Sequence, residues 1–235
     1  MPAFAAAHRG LSAEHPENTL RAFGAAVAAG FPALEMDLQA TRDGHVVVLH
    51  DATLSRTTDG EGEVEDLDLR EVQAFDTGAG PVPTLEGVFG LLKAWDGLYN
   101  LEVKAPAALE PTLRLARERA PGRFQVSSMV PGIVLEARDL DAAAPLGLIP
   151  LGPVEEEDWE VAQAAGCQWV NVDHDFLDAE AMAQAREHGV KVGGWTVNDA
   201  ARARELAGLG VACVITDALA VFDAVRPGTP AKPSW

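Results

Sequence analysis

The chain has 235 residues, 48% of them apolar, and sets 36 acidic against 18 basic side chains, a net charge of −18. Such an acidic balance argues against a nucleic-acid partner and against docking on an anionic membrane, since both need a basic face. No apolar run approaches the roughly 20 residues of a membrane span, and the start MPAFAAAHRG lacks the basic region of a secretory signal, so neither anchor nor signal is expected.

FAAA (4–7) reads as a short buried strand whose exit carries His8, Arg9 and Gly10; taken alone, these three fit a solvated surface turn as well. TLRAFGAAVAAG (19–30) then shows apolar positions at three- and four-residue intervals and closes on Gly30, the pattern of a helix with a left-handed cap. The alternation continues to the end. Strands are expected over 4–8, 33–39, 98–104, 124–128, 145–151, 168–172, 191–196 and 212–216, each followed by a helical stretch such as 179–189. Gly166, Gly189 and Gly210 mark further helix ends, and Asp178 and Asp199 stand where N-caps belong.

Eight strand–helix units predict an α/β fold, a (β/α)8 barrel, in preference to a doubly wound open sheet. It would form one domain over 1–226, followed by a Pro-rich tail, 227–235, that ends outside the core. A barrel also predicts where chemistry lies: at the carboxyl ends of its strands. One connection is irregular. Between the second strand and a helix starting near Thr84 runs a small insertion, about 45–83, with its own strand HVVVLH (45–50), and long connections of this kind are usually functional. Cys167 and Cys213 abut apolar runs and have no metal-binding spacing. They read as buried small hydrophobes in a reduced, cytoplasmic protein. A bridge between them is not expected, because strands six and eight of a barrel lie roughly 10 Å apart.

In ALEMDLQAT the period of two puts Leu34, Met36 and Leu38 on one face, and Glu35 and Asp37 on the other. Paired carboxylates in an apolar strand are costly to bury without a cation, unless the strand is a wet edge. Asp43-Gly44 signals a two-residue hairpin, which would pair Arg42 with His45 and set His50 across from Asp37; a three-residue loop would shift that register. In LYNLEVK, Glu102 and Lys104 share a face, so Glu102 can join Glu35 and Asp37 across about 4.8 Å between strands. Three carboxylates suit a hard divalent ion such as Mg²⁺ or Ca²⁺, while a structural Lys–Glu pair is the alternative for Lys104. In GGWTVN, Trp195 is either core or a flat pocket wall. His15, His45, His174 and His188 have no comparable setting. His8 and His50 would then serve as acid and base near neutral pH, with Arg9, Lys104 and the ion holding a phosphate.

Together HRG (8–10), PENT (16–19), Glu35-x-Asp37, His50-Asp51, PTLE (83–86), LEVK (101–104) and WTVN (195–198) resemble the glycerophosphodiester phosphodiesterases, in order, from residue 8 to about 217. The resemblance implies a barrel with a small insertion after strand two. It implies a divalent ion on Glu35, Asp37 and Glu102, acid–base work by His8 and His50, phosphate contacts from Arg9 and Lys104, and Trp195 against the glycerol or the leaving alcohol. The implied substrate is a small glycerophosphodiester, hydrolysed to glycerol 3-phosphate and an alcohol. QVSSM (125–129) departs from the family pattern after the serine and leaves Ser128 without a role. A related phospholipase-type barrel and a non-catalytic phosphate-binding barrel are the alternatives.

Overall fold

The computed structural model describes residues 3–226 and Trp235. Its strands are β1 (Phe4–His8), β2 (Ala33–Ala40), β3 (Val46–Val48), β4 (Leu98–Val103), β5 (Phe124–Ser128), β6 (Leu146–Leu148), β7 (Trp169–Asp173), β8 (Lys191–Trp195) and β9 (Cys213–Thr216). Its helices are α1 (Leu20–Ala29), α2 (Leu69–Val72), α3 (Leu85–Leu91), α4 (Leu109–Arg119), α5 (Pro131–Leu140), α6 (Glu156–Ala164), α7 (Ala179–Glu187), α8 (Ala200–Leu209) and α9 (Leu219–Val225).

All strands but β3 run parallel, and β1 pairs with β2 on one side and β9 on the other, so the sheet closes into an eight-stranded barrel. The expected elements are present. Strand β6, the fifth of the barrel, is the exception in length, covering Leu146–Leu148 where 145–151 is expected; Pro150 has no N–H to offer a ladder. Strand β2 does double duty. Ala33, Leu34 and Glu35 pair with β1, while Leu38, Gln39 and Ala40 pair with the antiparallel β3, so the insertion rises above the barrel's carboxyl end. It carries a core of its own, built from Val47, Leu49, Leu54, Val64, Val72 and Val82.

Alternation along the strands separates two cores. Leu34, Met36, Leu38, Leu101, Val103, Val126, Val170 and Val214 point outward and pack beneath the helices. Phe4, Ala6, Ala33, Leu98, Trp169 and Cys213 fill the amino-terminal end of the barrel. Residues 227–234 of the expected tail lie outside the described residues, but its last residue does not end outside the core. Trp235 packs edge-on against Phe4 (5.7 Å) and Trp169 (5.3 Å), because an indole gains more from that apolar floor than from water. Cys167 and Cys213 are buried and unbonded, and burial pushes the Cys167 thiol up to about 11.

Caps set the helices. Thr19 Oγ1 accepts from Ala22 N (3.1 Å) at the start of α1, and Asp178 and Asp199 cap α7 and α8. Gly10 marks the tightest crossing. Its φ is +83°, and a Cβ there would lie 2.6 Å from the carbonyl carbon of Ala22. Gly10→Ala is therefore expected to cost more than about 2 kcal/mol, from backbone strain plus a clash with main chain that cannot yield. Urea unfolding would read this directly, and an unchanged midpoint would contradict it.

Candidate active site

The residues singled out from sequence converge at the carboxyl end of the barrel. One pocket is lined by His8, Arg9, Glu35, His50, Glu102, Lys104 and Trp195, together with Asn100 and Asn171. Met129, Ile149 and Ile215 supply an apolar side beside Trp195, whose indole N–H donates to the Asn171 carbonyl (3.0 Å).

Parallel register builds the acidic cluster: Asp37 stands beside Glu102, and His8 beside Glu35. One oxygen from each of Glu35, Asp37 and Glu102 lies within 4.8 Å of the other two, and all three side chains are buried. Burial, and then the neighbouring Asp37, push the Glu35 carboxyl up to about 8 against the pull of His8 and Arg9. The same two causes raise Glu102, with Lys104 opposing. Burial would raise Asp37 as well, but Lys104 and Arg9 outweigh it and hold that carboxyl below its usual range. Lys104 Nζ sits 3.1 Å from Asp37 Oδ1 and also bonds Glu102. Arg9 Nε lies 3.0 Å from Asp37 Oδ2, and Asn18 Nδ2 donates to the same oxygen (2.9 Å).

These carboxylates fit a cation. Glu35 Oε1 is buried with no hydrogen-bond partner among the described residues, an orphan that costs about 1–3 kcal/mol unless something positive meets it. A separation of 4.8 Å is what three oxygens on one ion can span at about 2.3–2.6 Å each. Asp173, which ends β7, and His174 and Asp175 after it form a second group close enough to share an ion, but it is more exposed.

His8 and His50 each carry a carboxylate at the back of the ring. His8 Nδ1 is 2.7 Å from Asp217 Oδ1, which leaves Nε2 facing the cluster, 3.9 Å from Glu35 Oε2. Asp217 is fixed in turn by Ser12 Oγ (2.7 Å) and Asn198 Nδ2 (2.6 Å). Burial opposes charge on both partners, yet their hydrogen bond prevails. It raises His8 above its ordinary value and lowers Asp217 to about 2. His50 Nδ1 is 2.6 Å from Asp51 Oδ1.

His50 does not reach the pocket by the expected register. The hairpin loop has three residues, closed by Thr41 N–H to the His45 carbonyl (2.9 Å), with Gly44 at φ +81°. Thr41 Oγ1 accepts from His45 N (3.0 Å) and donates to Asp43 Oδ1 (2.6 Å), which stabilises the longer loop. Leu38 therefore pairs with Val48, and Leu49, not His50, donates its N–H to the Asp37 carbonyl (3.0 Å). His50 comes in from just beyond the strand, its carbonyl held by Gln39 Nε2 (3.1 Å).

Ser128 is structural: its hydroxyl donates to the Val103 carbonyl (2.7 Å) and accepts from Val130 N (3.1 Å). Sequence reasoning assigned nothing to Asp217 or Asn18. Asp217 directly follows β9, so the rule that barrel chemistry sits past strand ends pointed at it.

A closed parallel barrel with buried carboxylates, cations and two carboxylate-backed histidines at its mouth has the make-up of a phosphoester hydrolase. The chain belongs to the glycerophosphoryl diester phosphodiesterase family, whose model matches residues 8–221. It is 34% identical to a glycerophosphodiester phosphodiesterase of Caldanaerobacter subterraneus subsp. tengcongensis over 90% of this chain and 92% of that one. Among solved structures, an Oleispira antarctica phosphodiesterase in complex with the product sn-glycerol-3-phosphate aligns at TM-score 0.89 and 25% identity, over 96% of this chain and 98% of its own. The Thermotoga maritima glycerophosphodiester phosphodiesterase aligns at TM-score 0.81 and 26% identity, over 96% and 99%.

Proposed function

We propose that the protein hydrolyses small glycerophosphodiesters to glycerol 3-phosphate and an alcohol, with His8 and His50 as its acid–base pair. The observation that carries this reading is the two carboxylate-backed histidines facing one pocket with Glu35, Asp37 and Glu102. The sn-glycerol-3-phosphate held by the Oleispira relative supports the substrate class.

Glu35, Asp37 and Glu102 would hold a divalent cation, Mg²⁺ or Ca²⁺, which when bound supplies positive charge to offset that developing on the phosphate. Arg9 and Lys104 bind the phosphate oxygens as fixed cations; the carboxylates around them keep them charged in an otherwise acidic protein. Trp195, with Met129, Ile149 and Ile215, gives the glycerol or the leaving alcohol an apolar wall and excludes water on that side. One histidine takes a proton from the attacking oxygen and the other gives one to the departing oxygen. Asp217 and Asp51 keep each Nδ1 protonated and each Nε2 free to work. By analogy with the family, the attacking oxygen can be the glycerol's own hydroxyl, giving a cyclic phosphate that water then opens.

Residues 1–226 would act as one catalytic domain with the insertion over about 45–83, in a cytoplasmic setting that suits two free, buried thiols. No helix among the described residues is long and apolar enough to cross a membrane. A second reading, hydrolysis of a monoacyl phospholipid, draws on exposed Val130, Leu151 and Phe176 in the loops after β5, β6 and β7. One assay separates the two. Glycerophosphocholine and its ethanolamine analogue should release glycerol 3-phosphate when Mg²⁺ or Ca²⁺ is present. Faster cleavage of lysophosphatidylcholine, to a monoacyl glycerol phosphate and choline, would favour the second reading, and cleavage of none of the three would defeat both.

A further inference from the structure

The insertion sends one cation to the rim of the pocket, and its contacts are unusually complete. Arg56 grips Asp51 with two donors, Nε to Oδ2 (2.6 Å) and Nη2 to Oδ1 (3.0 Å). It grips Glu17 with two more, Nη1 to Oε2 (3.1 Å) and Nη2 to Oε1 (2.8 Å). Each carboxylate also holds a residue of the pocket. Asp51 Oδ1 is the oxygen 2.6 Å from His50 Nδ1, and Glu17 Oε1 accepts from Arg9 Nη1 (2.9 Å). A continuous chain of contacts thus runs from His50 through Asp51, Arg56 and Glu17 to Arg9.

We propose that Arg56 is a positioning residue, a clamp through which the insertion fixes His50 and Arg9 at once. The inference rests on the roles given above to those two residues. His50 lies just past the end of β3, its backbone carbonyl held by Gln39 Nε2 and its ring by Asp51, so the orientation of the imidazole depends on what holds that carboxylate. Arg56 locks both oxygens of that carboxylate and keeps it square to the imidazole. On the other side, Glu17 is shared between two guanidinium groups. With Arg56 gone, the whole charge of Glu17 would turn toward Arg9 and compete with the phosphate for it. The work needs a planar fork. Lysine, a point charge, can meet one carboxylate or the other but cannot hold both by two bonds each.

Two consequences separate a clamp from a surface ion pair. Loss of the Asp51 grip misaligns His50 and lowers kcat, while loss of the Glu17 grip weakens phosphate binding and raises KM. Arg56→Ala is therefore expected to lower kcat by about tenfold or more on glycerophosphocholine and to raise KM several-fold, since small misplacements of catalytic groups cost up to about 10²-fold. The thermal midpoint should move by no more than about 4 °C, because the side chain is half exposed and such pairs stabilise little. Arg56→Lys should recover only part of the loss. Added guanidinium ion should restore activity to Arg56→Ala and leave wild type unchanged. Asp51→Asn should already show the kcat defect, and adding Arg56→Ala to it should lower kcat little further.

The kinetics of wild type and His50→Ala keep the two levels apart. If wild type is active, His50→Ala is impaired and Arg56→Ala keeps wild-type kcat and KM, the clamp is wrong and the functional reading stands. A loss of activity tracking a collapsed thermal midpoint, without guanidinium rescue, equally overturns the clamp in favour of a folding role. Wild type inactive on every glycerophosphodiester with either ion would overturn the functional reading, and the clamp with it.

Discussion

His8→Ala is expected to lower kcat on a glycerophosphodiester by at least about 10²-fold while changing KM little. The ring's free nitrogen faces the carboxylate cluster, and its orientation is fixed from behind by Asp217, itself held by Ser12 and Asn198. Alanine removes the proton transfer and leaves Arg9, Lys104 and the cation site to bind phosphate. His50→Ala should behave alike, and the double variant should cost far less than the product of the two single losses, because groups acting as a unit are non-additive. A nitrophenyl ester assigns the roles. Its leaving group needs little protonation, so the variant lacking the acid should recover on that substrate and the variant lacking the base should not. Two single variants with intact kcat and weakened binding would remove both histidines from proton transfer.

Chelation should bring turnover to background, and Mg²⁺ or Ca²⁺ should restore it. The same cluster predicts how the ion-free protein responds to pH. A carboxyl that titrates at about 8 when folded and near 4.5 otherwise, as Glu35 does, binds its proton more tightly in the folded state. Its contribution to stability is present at low pH and is lost as pH rises from about 4.5 through about 8. The thermal midpoint of chelated protein should therefore fall over that range relative to ion-loaded protein. The ion should also bind more tightly toward pH 8, releasing a proton that calorimetry in buffers of different ionisation enthalpy would register. Full activity in excess chelator, with a midpoint indifferent to the ion at pH 8, would defeat the assignment.

What could be read from sequence was what depends on period and order. Alternation put Glu35 and Asp37 on one face and Glu102 on the matching face of its strand, and the structure adds the register that sets Asp37 beside Glu102. The hairpin was harder. Asp43-Gly44 signals a tight turn, but Thr41 Oγ1 and Asp43 formed hydrogen bonds that favoured one more loop residue, and local composition does not weigh such bonds. Partners far apart in sequence were out of reach. Nothing near His8 announces Asp217, 209 residues away, and only closure of the barrel between β1 and β9 brings them together. Trp235 was hidden for a related reason: a Pro-rich tail gives no sign that its last side chain finds an apolar seat.

That seat brings Phe4 and Trp235 to one place. Phe4 and Trp235 meet ring against ring at the closed end of the barrel, opposite the mouth that holds the pocket. A group attached next to either of these two residues would emerge from that far side and leave the entrance clear. Immobilised at that closed end, the protein would present its pocket outward, away from the support.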